Sequence, residues 1–158
     1  MHWASLKTSN ALNQINCANN YGHVIVHNKF IALYENRFKM QVFNVNNKME
    51  LIQDCWNPHV LAELNNHQIR LAKIQGEFVW HAHAHEDECF MVLKGSFDLH
   101  FRDQVVHLQA MDGIVVPKGV EHKPVAQDEC WILLFEPATT INTGNVINDR
   151  TLFELKNI

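Results

Sequence analysis

Phe78-Val79-Trp80-His81-Ala82-His83-Ala84-His85-Glu86-Asp87-Glu88 concentrates more costly chemistry than any other stretch of this chain. In extended backbone, alternate side chains point the same way. His81, His83 and His85 are therefore expected on one face with Val79, and Phe78, Trp80, Ala82 and Ala84 on the other. Two imidazoles at i and i+2 on a rigid strand make a ready chelate for zinc, iron, nickel or copper. The stretch offers two such pairs, His81 with His83 and His83 with His85. Glu88 then opens the apolar run Cys89-Phe90-Met91-Val92-Leu93. A carboxylate pointing inward there needs a cation or hydrogen-bond donors.

The rest of the chain bounds what this stretch can serve. A length of 158 residues suits one domain with a real core. A hydrophobic content of 47% with 19% charged residues is that of an ordinary globular protein. The net charge of −4 gives no reason to expect nucleic acid or an anionic membrane as partner. Eleven histidines form a rich background, so no single histidine carries weight alone. Cys17, Cys55, Cys89 and Cys130 are scattered without a C-x-x-C pair, which favours free thiols in a reducing cytoplasm over disulfides. No apolar run reaches transmembrane length, and the first residues resemble neither a signal nor a transit peptide.

In chain order, residues 1–20 are rich in Asn and Ser and read as a loose arm. Residues 23–34, and then Phe38, Met40 and Val42, suggest strands. Asn44 to Lys48 is polar, Trp56-Asn57-Pro58 marks a corner, and Val60 to Leu64 is ambiguous between strand and helix. Strands are expected over Gln68–Gln75, Glu88–Leu93, Phe97–Phe101, Val105–Leu108, Ile114–Val116 (buried) and Cys130–Phe135. Lys94-Gly95-Ser96, Asp112-Gly113 and Pro117-Lys118-Gly119 are expected turns. Asp149 can cap a short C-terminal helix with Leu152 and Leu155 on one face. The fold class expected is all-β, an antiparallel double-sheet jelly-roll barrel with that helix appended.

Two gapped motifs in this β-rich setting resemble those of the cupin superfamily, and in particular the small single-domain bacterial cupins described as mannose-6-phosphate-isomerase-like. The first motif, G-x5-H-x-H-x3–4-E-x6-G, is met by Gly76, His81, His83, Glu88 and Gly95, with four residues rather than five in its first gap. The second, G-x5-P-x-G-x2-H-x3-N, is met by Pro117, Gly119 and His122, with Met111 and Ala126 in its outer positions. The resemblance implies that His81, His83, Glu88 and His122 are the ligands of one divalent first-row ion (Fe, Zn, Mn or Ni). The residues agree: His81 and His83 share a face, Glu88 follows after a short loop, and His122 is expected to arrive from the far side of the sheet. His85 stands too close to Glu88 to serve the first motif and is expected at the rim. Trp80 should pack away from the metal, Phe90 and Val92 should line the cavity, and Lys118, Lys123 and Glu121 should be solvated. The resemblance covers about Met40 to Ile158. It leaves residues 1–39 as an N-terminal extension, read as a translated upstream segment, a partly disordered arm or an edge hairpin. It implies a cytoplasmic homodimer with a small-molecule ligand. Two functions stay open, a metal-dependent oxygenase or isomerase/lyase, and a non-catalytic metal or small-ligand binding module.

Overall fold

One strand carries the architecture. β7 (His122–Pro137) runs for 16 residues and pairs with three others. The structure, a computed structural model, describes residues 42–158. The readings of residues 1–39, of the strand through Phe38 and Met40, and of Cys17 lie outside the described residues. Before β7 come α1 (Val45–Met49), β1 (His59–Leu64), β2 (His67–Glu77), β3 (Glu88–Lys94), β4 (Ser96–Phe101), β5 (Val105–Gln109) and β6 (Gly113–Val116). All pairings of these strands are antiparallel, as the expected jelly roll requires.

Along one edge of β7 lies β2, from His67↔Pro137 to Glu77↔Val125. Its other edge is divided. β4 pairs with its start (Phe101↔His122 to Asp98↔Val125) and β3 with its end (Lys94↔Trp131 to Cys89↔Phe135). Between these halves Gln127, Asp128 and Glu129 are exposed, and the register with β2 shifts between Ile74 and Gly76. Such an irregularity bends a strand and lets it serve two layers. The β3–β4 turn fits against this bend. Gly95 has φ +81°, and a Cβ there would stand 3.0 Å from the Glu129 carbonyl oxygen, so glycine meets both the backbone and the space.

Alternation along the strands makes two apolar clusters. The inner one gathers Ala72, Ile74, Phe90, Val92, Phe97, Leu99, Ile132 and Leu134. Phe97 and Leu99 point inward on β4 as their spacing predicts. The opposite face of the sheet presents Leu71, Leu93, Trp131 and Leu133, which α1 and the chain end cover with Met49, Ile52 and Ile158. The polar Asn44–Lys48 segment is thus a capped helix: the Asn44 side chain accepts a hydrogen bond from the Asn47 N–H at 3.1 Å. It gave no sequence signal because only Met49 of its five residues is buried.

Two expectations are corrected. No helix forms over residues 149–158. The tail is extended and bridges β1: Val60 N–H donates to the Lys156 carbonyl at 2.8 Å and Ile158 N–H to the Val60 carbonyl at 3.1 Å. Upstream, side chains take the backbone groups a helix would need. Asn142 accepts from Leu152 N–H at 2.8 Å and donates to the Arg150 carbonyl at 2.9 Å, while Thr151 Oγ1 accepts from Asn148 N–H at 2.9 Å. Second, β6 is only half-buried. It pairs with β3 alone, so Val116 is inside while Val115 is exposed.

Candidate metal centre

The histidine stretch is not a regular strand. Beyond Glu77 the backbone makes a single bridge, His81↔His122, in which each N–H donates to the other residue's carbonyl, at 3.0 and 2.9 Å. His122 therefore arrives beside His81, not from the far side of the sheet, and their ring centroids are 4.3 Å apart. Two further bonds join the motifs. Gly119 N–H donates to the His83 carbonyl at 2.7 Å, and Lys118 N–H to the Asp87 carboxylate at 2.8 Å. From behind, Asn145 clamps Ala82, accepting from its N–H at 2.9 Å and donating to its carbonyl at 3.0 Å. Gly144 lets the tail come this close: its φ is +51°, and a Cβ would collide with the Ala82 carbonyl and crowd His83 Nδ1 at 3.2 Å. Gly144→Ala is accordingly expected to destabilise the protein by more than about 1 kcal/mol, measured by urea unfolding.

These restraints bring His81, His83, Glu88 and His122 together, all four buried, with one ligating atom from each within 4.8 Å of the rest. Bonds of about 2.0–2.2 Å to one ion would set donor separations of about 3–4.3 Å, so little contraction is needed. Glu88 Oε2 lies 3.1 Å from His122 Nε2 and 3.3 Å from His83 Nε2. The Nδ1 atoms of His81 and His122 each face a carbonyl two residues back, Val79 and Val120, at 3.0 Å. A proton on Nδ1 satisfies that contact and turns the Nε2 lone pair inward, the orientation a metal ligand requires.

That arrangement leaves a deficit of positive charge. Both ring nitrogens of His122 face acceptors, the Val120 carbonyl and the Glu88 carboxylate, and its side chain is 0% exposed. Buried His83 Nε2 has only the 3.3 Å approach of Glu88 Oε2, which lacks hydrogen-bond geometry. Either a proton or a metal ion can supply the missing charge; the proton serves His122 alone, whereas an ion serves all three imidazoles. Charges in the metal-free protein follow the same logic. Burial, and then neighbouring His122, push the His81 imidazole down to about 4, so it stays neutral. Burial alone would raise the Glu88 carboxyl, but the His122 and His83 imidazoles outweigh it and hold Glu88 at about 2. Burial would lower His122, but the Glu88 carboxylate more than offsets it and His122 is raised.

His85 is exposed and stays outside the group, which leaves His81 and His83 as the converging pair. His85→Ala is expected to leave metal content unchanged by elemental analysis; loss of the ion would point to a His83–His85 site instead. Phe78 departs from the expected alternation: its ring is edge-on to His81 at 5.4 Å and stacks on Trp56 at 4.8 Å. Trp80 does face away, under the Arg102 guanidinium at 3.9 Å. Two residues expected to be solvated are paired: Glu121 with Arg102 at 2.6 Å and Lys123 with Glu77 at 2.7 Å.

The centre opens into a small cavity of about 40 Å³, walled mainly by Trp56, Phe78, Phe90, Ile132 and Leu134. Trp56 holds a left-handed backbone, φ 59°, uncommon for a bulky residue. Its indole N–H donates to the Gln75 carbonyl at 2.7 Å and its backbone N–H to the Lys73 carbonyl at 2.8 Å, which fixes the wall. A second polar group lines the same cavity, and the sequence reading missed it. Glu136 Oε1 accepts from Arg70 Nη1 at 2.7 Å, and both side chains are 2% exposed. Arg70 also donates to Gln68 Oε1 and to the carbonyls of Thr140 and Ala138. The signal was there in the alternation: Arg70 falls in step with inward Ala72 and Ile74, and Glu136 with inward Ile132 and Leu134.

An antiparallel jelly roll with a buried three-histidine, one-glutamate group at its interior is the class that fold and site define. The chain belongs to the cupin superfamily: the profile of the cupin domain, type 2, matches residues 69–134, which contain all four residues. A cupin-2 domain containing protein from Shewanella frigidimarina is 51% identical, with 61% of this chain and 94% of that one covered and a TM-score of 0.60. A protein from Neisseria meningitidis is 25% identical, with 62% and 100% covered and a TM-score of 0.58. The uncharacterized Bacillus subtilis protein YdbB is 41% identical over 64 residues, 40% of this chain, and the chain spans 57% of that protein's length. Among the described residues no helix is long and apolar enough to cross a membrane, and Cys55, Cys89 and Cys130 are free.

Proposed function

We propose that His81, His83, Glu88 and His122 hold one divalent first-row transition ion, and that a small polar molecule enters the cavity to meet it. The observation that carries this reading is the convergence of four buried ligating side chains, with the His122 ring set between two acceptors and His83 Nε2 without a well-formed hydrogen bond. A buried polar group left in that state costs free energy that a cation recovers. Nitrogen-rich ligation with one carboxylate suits iron, zinc, manganese or nickel. Bound here, the ion supplies Lewis-acid polarisation of a hydroxy-carbonyl compound, or redox chemistry with dioxygen if it is iron. The chain's own share is to orient His81 and His122 through the Val79 and Val120 carbonyls, to keep Glu88 ionised, and to exclude water with an aromatic wall. The reading is therefore an oxygenase or an isomerase/lyase. The superfamily resemblance also supports a cytoplasmic homodimer. Oxygen uptake by iron-loaded protein, set beside turnover of hydroxy-carbonyl compounds by zinc-loaded protein, tests the reaction. Stoichiometric metal with neither activity across a broad panel of compounds would instead favour a non-catalytic binding module.

A further inference from the structure

The cavity wall has one side-chain polar atom outside the metal group with no partner. Trp56 Nε1 is taken by the Gln75 carbonyl, and both ends of the Asn142 amide are taken by Arg150 and Leu152. Glu136 Oε1 is taken by Arg70, but Glu136 Oε2, equally buried, has no hydrogen-bond partner. Native interiors rarely leave such an atom orphaned without a use for it. Its carboxyl is also fixed: Arg70 holds it from behind and is itself held by three acceptors besides Glu136. A carboxyl locked on one oxygen and unpaired on the other, on a residue in the wall of an apolar cavity, is suited to meet a ligand group.

We propose that Glu136, positioned by Arg70, is a ligand-binding residue, and that the cavity takes a small hydroxylated molecule with an apolar middle, one end at the metal group and a hydroxyl on Glu136 Oε2. This rests on the metal-site reading above and adds to it the second anchor and the ligand class. A hydroxyl fits better than a cation because Arg70 already balances the carboxylate charge. It also serves either state of the carboxyl, since a hydroxyl both donates and accepts. Burial, and then the charge of Glu88, push that carboxyl well up, and Arg70 and the Thr140 hydroxyl offset them only in part, so a group that can accept a hydrogen bond from it as well as donate one is the suitable partner. Aromatic and aliphatic walls supply the apolar middle.

The test uses the full-length protein loaded with zinc and two matched series of straight-chain acids. One series is the ω-hydroxy acids from glycolate to 6-hydroxyhexanoate; the other is the plain alkanoates from acetate to hexanoate. Calorimetry gives the affinity of every member. At one chain length the hydroxyl is expected to improve affinity about tenfold, the effect of one good hydrogen bond in a buried site. The Arg70→Met, Glu136→Leu double variant, which leaves no unpaired buried charge, is expected to bind both acids of that length alike. Equal affinities at every length overturn the inference and leave the metal centre standing, as does a hydroxyl preference that survives in the double variant. Zinc retained with neither series bound overturns the cavity as the ligand site, and the inference with it.

Discussion

His81→Ala protein is expected to lose its metal ion and, with it, the stabilisation the ion gives the fold. The His81 ring is fixed by the Val79 carbonyl and its backbone by the bridge to His122, so the substitution removes a ligand already held in place. A ligand bound only to the folded state stabilises by RT ln(1 + [L]/Kd), about 4 kcal/mol at a thousandfold excess over Kd. Wild-type protein should therefore melt well above the variant when metal is supplied, and close to it after chelation. Mass spectrometry and thermal unfolding with and without chelator measure both. A variant that keeps a full complement of metal would sink the ligand assignment.

Glu136→Leu should be about as damaging, for a different reason. It removes one partner of an ion pair that is 2% exposed on both sides and leaves the Arg70 guanidinium charged in the interior. Breaking a buried pair from one side costs about 3–5 kcal/mol, whereas replacing both partners by apolar residues is often nearly neutral. The Arg70→Met, Glu136→Leu double variant is thus expected to recover most of the stability lost in the single one. Urea unfolding of the wild type, both single variants and the double variant gives the coupling. Strictly additive losses would mean that the pair does not act as a unit.

The sequence disclosed the site's composition better than its construction. The two motifs from Gly76 to Gly95 and from Pro117 to His122 carry the resemblance that implied the four side chains, and these four converge. How they converge depends on pairing between distant segments. Nothing local says that His122 bridges His81, that Gly119 ties down His83, or that Asn145 clamps Ala82. Periodicity misled where it was weak. Leu152 and Leu155 suggested a helical face, but Asn142, Asn148 and Thr151 engage the backbone there and the tail joins β1 instead. α1 escaped notice because a five-residue helix has too few turns to display a face. Arg70 and Glu136 were legible in principle. Each is a charged residue at an inward position of an otherwise apolar strand face, and each needed the other strand's register to be recognised as a pair.

Elemental analysis of the full chain purified without chelator tests most directly whether the four converging residues hold an ion. The expected result is one first-row transition ion per chain, removed by chelation and restored by iron, zinc, manganese or nickel. A protein that folds and yet takes up none of these four metals would contradict it.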